Sequence, residues 1–184
     1  MAVAKEVGTI ISLDGGAQRY DEDMKPITEA SHIVIVARDY AEKYTGTTNL
    51  EDACRIIHER GAFMAGVTDG ANGSYFVWPD GTSYRCEPFS QATVVDTTGA
   101  GDSFHGAFLY MLTKTLCKIA DGTNTSTMNE TSQSLNAIDL LHSCAHEDLE
   151  KAATFASAVA ALNTQGIGGR SPLPSLEDIK ALIG

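Results

Sequence analysis

The sequence predicts an α/β fold, a doubly wound sandwich of three layers, on two observations. Short apolar runs rich in β-branched residues alternate with segments of helical periodicity, and such strands are typical of a parallel sheet covered on both faces. A glycine-rich run then leads into a long helical pattern. A chain of 184 residues can bury a core of its own. We therefore expect one domain over residues 1–184.

The first half of the chain supplies the predicted parallel strands. Residues Thr9–Leu13 and His32–Ala37 are apolar runs, and Pro26 between them suits the first turn of a short helix. Residues Leu50–Glu59 repeat apolar side chains at helical spacing and lead to a third apolar run, Ala62–Thr68. This order predicts two crossovers within one parallel sheet.

The second half begins with a hairpin and continues in helices. Asp80-Gly81 lies between the segments 74–78 and 82–85, and this pair favours a tight turn between antiparallel strands. Helical periodicity follows over Phe104–Leu116 and again over the alanine-rich Leu149–Leu162. Ser175, with Asp178 three residues later, predicts a capping box at the start of a last short helix.

Between the two long helical patterns the composition changes. Much of the stretch from residue 117 onward consists of Ser, Thr and Asn without a repeating apolar position. Such composition is typical of segments that cannot bury enough apolar surface to order themselves. We expect a flexible surface insertion at 117–147.

Charge and hydropathy exclude several function classes. The chain has 13 basic and 24 acidic residues, a net charge of −11, so a nucleic-acid or anionic-membrane partner is not expected. No run is long enough to span a bilayer, and the first residues do not resemble a signal peptide. A cytoplasmic location is the expectation. A nucleotide stays possible as a ligand, because backbone N–H groups at a helix start can bind phosphate.

The run Asp96–Phe104 carries the strongest chemical signal. Gly99, Ala100 and Gly101 leave the backbone N–H groups uncovered, and the following helix adds its positive end, so the run predicts an anion hole. Asp102 lies in the first helical turn beside this hole, where a carboxylate can accept the proton of an attacking hydroxyl. The alternative interpretation is a tight turn between a strand and a helix, with no ligand.

This run resembles the second signature of the PfkB/ribokinase family of carbohydrate kinases. Two further segments support the resemblance. Val67–Gly73 is similar to the loop that meets the phosphates and ribose of the nucleotide, and Phe155–Asn163 with the following glycines is similar to the wall of the adenine pocket. The residues that the resemblance assigns to the nucleotide are Thr68, Gly70, Gly73, Asn163, Gly168 and Gly169.

The resemblance implies a ribokinase-like fold and an ATP-dependent transfer of the γ-phosphate to a sugar hydroxyl, with Asp102 as general base and Mg²⁺ as cofactor. It also implies a K⁺ or similar monovalent cation at Asp96 and the carbonyl of Thr98, although Asp96 can equally anchor the loop through hydrogen bonds to its backbone. The alternative function is a non-catalytic nucleotide-binding or regulatory remnant of such a kinase.

The chain departs from the family pattern in two ways. Ala37 and Tyr40 stand where the family carries the Asn and Glu of a motif that organises Mg²⁺, which leaves Asp39 or Glu42 as substitutes. The resemblance also covers only the carboxy-terminal portion of the family domain, without the amino-terminal part, the lid and most sugar contacts. We therefore expect a partial ribokinase-like domain, and either a dimer or a missing amino-terminal segment that covers the open sheet edge.

Overall fold

The computed structural model describes residues 6–90, 93–124, 136–170 and 173–184. The strands are β1 (Ser12–Gly15), β2 (Ile33–Ala37), β3 (Met64–Thr68), β4 (Ser74–Val77) and β5 (Ser83–Cys86). The α-helices are α1 (Lys25–Ala30), α2 (Arg38–Thr45), α3 (Leu50–Glu59), α4 (Ala100–Asn124), α5 (Ala137–His142), α6 (His146–Asn163) and α7 (Leu176–Ile183). Short 3₁₀ turns cover Glu22–Met24 and Gly70–Asn72.

The five strands form one mixed sheet in the order β1-β2-β3-β4-β5. The first three pair in parallel, and β4 and β5 add an antiparallel hairpin. The predicted parallel strands and the hairpin are confirmed, with different bounds at β1. That strand continues through Asp14 to Gly15. A Cβ at Gly15 would lie 2.5 Å from Val36 Cγ1, so the absence of a side chain lets the strand pack closely against its neighbour.

Helices cover both faces of the sheet, which gives the three layers. The alternate side chains of β2 divide between two buried cores. Val34 and Val36 pack towards α2 and α3, and Ile33 and Ile35 pack towards α4, α6 and α7. The three-layer α/β sandwich predicted from the sequence is confirmed.

The helix termini show how local sequence sets the element bounds. Asn49 caps α3 through its side chain, which accepts from the N–H of Asp52. The predicted capping box between Ser175 and Asp178 is present at α7. In the described ranges, no helix has the length and apolarity that a bilayer span requires.

The predicted insertion at 117–147 falls only partly within the described residues. Residues 117–124 form the last turns of α4, which is 25 residues long. Residues 137–142 form α5, and α6 begins at His146. Residues 125–135 lie outside the described residues, so the insertion stays a prediction there.

Candidate active site

The candidate residues lie where a parallel sheet usually binds ligands, beyond the carboxyl ends of its strands. The turn Thr68–Gly73 follows β3 directly. Two other segments build the rest of the site, the loop before α4 and the loop after α6.

Asp96 joins these two loops although they are far apart in the sequence. Its Oδ1 accepts a hydrogen bond from the N–H of Thr98 at 2.9 Å, and its Oδ2 accepts one from the N–H of Gly168 at 2.9 Å. These two bonds hold the pKa of Asp96 below its ordinary value. The structure therefore places Asp96 as a connector of the loops, the anchoring role that the sequence left open beside cation binding.

Two glycines allow the loops to touch. Gly99 has φ +79°, and a Cβ there would lie 2.5 Å from the Cα of Gly169. A Cβ on Gly169 would in turn lie 3.2 Å from the Cα of Gly99. The contact is between backbones, so neither side has a flexible group that can move aside.

The first turn of α4 supplies the free donors of the predicted anion hole. The N–H of Ser103 bonds the carbonyl of Gly99 at 2.8 Å, and the N–H of Ala100 bonds the carbonyl of Thr97 at 3.2 Å. In the described part of the chain, the N–H groups of Gly101 and Asp102 have no backbone acceptor. Such orphan donors at a long helix's amino end can bind an anion. An anion hole at this position would therefore centre on the N–H groups of Gly101 and Asp102, whereas the N–H of Ala100 closes the turn.

Asp102 is exposed at this helix start, next to two residues that the sequence did not assign to the site. Asp14 is exposed at the end of β1, and His105 is buried one helical turn after Asp102. The His105 Nε2 lies 2.9 Å from the Ser12 Oγ of the same strand. The sequence gives only a weak indication that Asp14 belongs to the site, because the tertiary contact of β1 with α4 brings it there.

The turn after β3 is closed by internal bonds. The N–H of Asp69 bonds the carbonyl of Gly73 at 2.8 Å, and Gly73, at φ +88°, leaves no room for a Cβ beside the carbonyl of Cys86. Gly70 has φ +53° and open space around it. Thr68 is half-buried, and its Oγ1 lies 3.5 Å from the Val36 carbonyl.

Asn163 ends α6 and is fully buried. Its Nδ2 lies 3.5 Å from the carbonyl of Gly169, and its Oδ1 has no partner in the described structure. Asn163 thus supports the loop from beneath. The structure brings the predicted residues Asp96, Thr98, Gly99, Gly168, Gly169 and Asn163 together. Beyond the strand pairing of Thr68, the turn Thr68–Gly73 makes its hydrogen bonds and ion pairs in the described structure within itself and with Val36 and Arg38, and not with the other two loops.

The region of the missing Asn-x-x-Glu motif offers no evident divalent-metal site. Tyr40 is fully buried, and its hydroxyl lies 2.7 Å from the Thr28 Oγ1. Arg38 pairs with Glu42 at 2.9 Å and with Asp69 at 2.8 Å. No group of three or more His, Cys, Asp or Glu with metal-ligand geometry occurs within the described residues.

The substitutes that the sequence suggested for this motif are both engaged. Glu42 is paired with Arg38, and Asp39 accepts the backbone N–H of Gln18. With Ala37 and Tyr40 at the positions of the family's Asn and Glu, the residues present do not fit the family's arrangement.

Comparisons with known proteins agree with this architecture. A family model described as pfkB family carbohydrate kinase matches residues 2–176. The bifunctional ribokinase/ribose-5-phosphate isomerase A of Fructilactobacillus sanfranciscensis is 27% identical over 187 residues, covering 98% of this chain and 28% of that protein. The 5-dehydro-2-deoxygluconokinase of Shouchella clausii is 24% identical over 155 residues, covering 83% of this chain and 38% of that protein.

Solved structures show the same fold. The fructokinase of Vibrio cholerae, solved with fructose, ADP and a calcium ion, superposes with a TM-score of 0.73 at 22% identity and covers 100% of this chain and 53% of its own. The aminoimidazole riboside kinase of Salmonella enterica gives a TM-score of 0.70 at 20% identity, with coverage of 98% and 54%. The chain thus spans about half the length of these solved relatives and less of the curated ones.

Proposed function

Because the chain belongs to the pfkB family of carbohydrate kinases, we propose that it is the carboxy-terminal portion of a cytoplasmic, ATP-dependent kinase. It transfers the γ-phosphate of ATP to a sugar hydroxyl. The observation that carries this proposal is made at the start of α4, where the N–H groups of Gly101 and Asp102 lack a backbone acceptor within the described residues and the carboxylate of Asp102 is exposed beside them.

The nucleotide lies across the two loops that Asp96 connects. The γ-phosphate is held by the N–H groups at the start of α4, and the positive end of this 25-residue helix favours its charge. Gly168 and Gly169, supported by Asn163, form one wall for the nucleotide. Thr68, Gly70 and Gly73 meet it from the end of β3, where Gly70 has open space around it.

Asp102 acts as the general base. Its carboxylate takes the proton of the acceptor hydroxyl, and the hydroxyl oxygen forms a bond to the γ-phosphorus while the bond to the bridging oxygen breaks. ADP leaves with that oxygen. Most of the stabilisation comes from fixed donors around the transferring group, since phosphoryl transfer depends on positioning and electrostatics.

Cations enter the proposal in two different ways. Asp96 and the carbonyl of Thr98 are hard oxygen ligands that suit a monovalent cation such as K⁺ beside the loops. Mg²⁺, if it accompanies ATP, is held by groups other than the Asn-x-x-Glu motif, because Tyr40 is buried and Glu42 is paired.

Most of the residues that enclose the sugar are proposed to come from a partner copy or from a further segment. The support is length alone, since this chain spans about half of the solved kinases with the same fold. A dimer and a longer polypeptide are therefore both compatible with the proposal.

The test compares Asp102→Asn with Asp139→Asn, a first-turn aspartate of the separate helix α5. ATP binding and sugar-dependent ADP release are measured on the same preparations. We expect Asp102→Asn to keep ATP binding and to lower turnover by about 10²- to 10⁴-fold, and Asp139→Asn to change neither. Undiminished turnover in Asp102→Asn would refute the assigned base. ATP binding without any turnover in the unaltered chain would favour a non-catalytic nucleotide-binding protein.

A further inference from the structure

His105 is a buried polar ring that the proposed reaction leaves without a role. It is 8% exposed, and its Nδ1 has no hydrogen-bond partner in the described structure. Its Nε2 lies 2.9 Å from the Ser12 Oγ on β1. An unsatisfied buried polar atom costs free energy, so its presence calls for a functional explanation.

The register of β1 brings a second carboxylate to the same place. Ser12 pairs with Ile33 and Asp14 with Ile35, so all four side chains point to the sheet face that α4 covers. Ser12 and Asp14 lie about 6–7 Å apart along the strand. Asp102 and His105 lie about 4.5 Å apart along the helix.

The Ser12 hydroxyl contacts the His105 ring. Asp14 is two residues further along β1 and Asp102 is three residues before His105 on α4, and both carboxylates act on the charge of the imidazole. The imidazole is therefore flanked by a carboxylate on each element.

Electrostatics agrees with this arrangement. Partial desolvation of its carboxylate raises the pKa of Asp14 although the residue as a whole is exposed, the positive charge that His105 can carry opposes that rise, and the charge of Asp102 adds to it. Burial lowers the pKa of His105, and both carboxylates oppose that fall. Arg19 is the other charged group that acts on Asp14.

We propose that Asp14 is an acceptor-binding residue beside Asp102, and that His105, through its bond to Ser12, positions the end of β1 that carries Asp14. This inference rests on the proposed function. Asp102 takes the proton of the reacting hydroxyl, and Asp14 accepts a hydrogen bond from a second hydroxyl of the same molecule.

The chemistry of this pair defines a substrate class. Two carboxylates accept hydrogen bonds from neutral hydroxyl groups, and they repel a carboxylate or phosphate on the acceptor. The acceptor is therefore a neutral polyhydroxylated molecule, and a sugar acid is disfavoured.

The test uses D-fructose as the neutral probe and 5-dehydro-2-deoxygluconate as the anionic probe. Asp14→Asn is expected to raise the KM for fructose about tenfold with kcat changed less than about twofold, because binding is weakened and the base remains. It is also expected to reduce the preference for fructose over the anion about tenfold, since one repelling charge is gone. Asp23→Asn, an exposed acid on the Glu22–Met24 turn, is the control and leaves both values unchanged.

Two His105 variants separate positioning from packing. An amide in His105→Gln can still bond the Ser12 hydroxyl, so this variant is expected to keep most of the fructose preference. The ring of His105→Phe fills the space without that bond, so it is expected to reproduce the KM increase of Asp14→Asn. Equal behaviour of the two variants overturns the positioning role.

A measurement without turnover distinguishes failure of this inference from failure of the proposed function. If neither acceptor is phosphorylated, the proposed function loses its support from these two acceptors, and NMR titration of the His105 imidazole decides the present inference. The titration midpoint should fall in Asp14→Asn, because a carboxylate that favours the charged ring is lost. A midpoint unchanged from that of the unaltered chain overturns the inference.

Discussion

Replacing Gly99 by alanine tests the contact on which the site depends. The residue has φ +79°, a conformation that costs an L-residue with a side chain about 1–2 kcal/mol. The added Cβ would also lie 2.5 Å from the Cα of Gly169, which is backbone and cannot rotate away. Overpacking of this kind costs about 1–3 kcal/mol. Together these terms predict a loss of about 2–5 kcal/mol in the free energy of unfolding, unless the two loops separate.

The same experiment has a matched control on the following helix. Gly106 is an exposed residue of α4, and a Cβ there would have nothing within 4 Å. Gly106→Ala is expected to stabilise the protein by up to about 1 kcal/mol, because alanine favours the helix more than glycine does. The two variants therefore differ in sign although they add the same methyl group.

Urea unfolding followed by circular dichroism measures both free energies, and ATP binding shows whether the loops stay in place. Gly99→Ala should lose stability, or should keep stability and lose ATP affinity if the loops move apart. Gly99→Ala with the stability and ATP affinity of Gly106→Ala would refute the close approach of the two loops.

Three further predictions follow from individual side chains. The pKa of Asp96 is depressed by two backbone N–H bonds, so its contribution to stability is present above the ordinary aspartate pKa and is lost as the pH falls through the lower folded-state value. Protection of the two loops against hydrogen exchange, measured relative to the intrinsic exchange rate at each pH, should fall over that range, and Asp96→Asn should show the low protection at neutral pH. Tyr40→Phe removes the bond to the Thr28 hydroxyl and should lower the free energy of unfolding by about 1 kcal/mol in urea titrations. Burial raises the pKa of the Cys54 thiol, so Ellman's reagent should modify the exposed Cys117 quickly and Cys54 only after unfolding.

Much of the architecture could be predicted because it depends on local patterns. The continuous apolar runs of β2 and β3 require cover on both faces, and both faces are covered. The capping box of α7 is a pattern of two residues that act within one turn. The sequence predicts β1 at Thr9–Leu13, and the observed strand begins three residues later, at Ser12. Asp14 and Gly15 are typical turn residues, and only the packing against Val36 shows why the strand continues through them.

The sequence indicates several of the residues that meet at the candidate site, but less of their contacts. The glycine run indicated an anion hole, yet the sequence could not show that the N–H of Ala100 is engaged while those of Gly101 and Asp102 are free. Asp14 and His105 were not connected, because they are 91 positions apart and meet only through the pairing of β1 with α4. Tyr40 departs from the family motif, and the structure shows that its side chain is buried.

The two hydrogen bonds that Asp96 accepts have a consequence for the kinetics of ligand binding. Thr98 and Gly168 are held by one carboxylate before any ligand arrives, so the conformational entropy of ordering both loops is lost during folding. The proposed nucleotide would then meet loops that are already ordered, and less of its interaction energy would be spent on ordering the protein. We expect association to be limited by encounter and orientation, with little slow rearrangement of these loops afterwards.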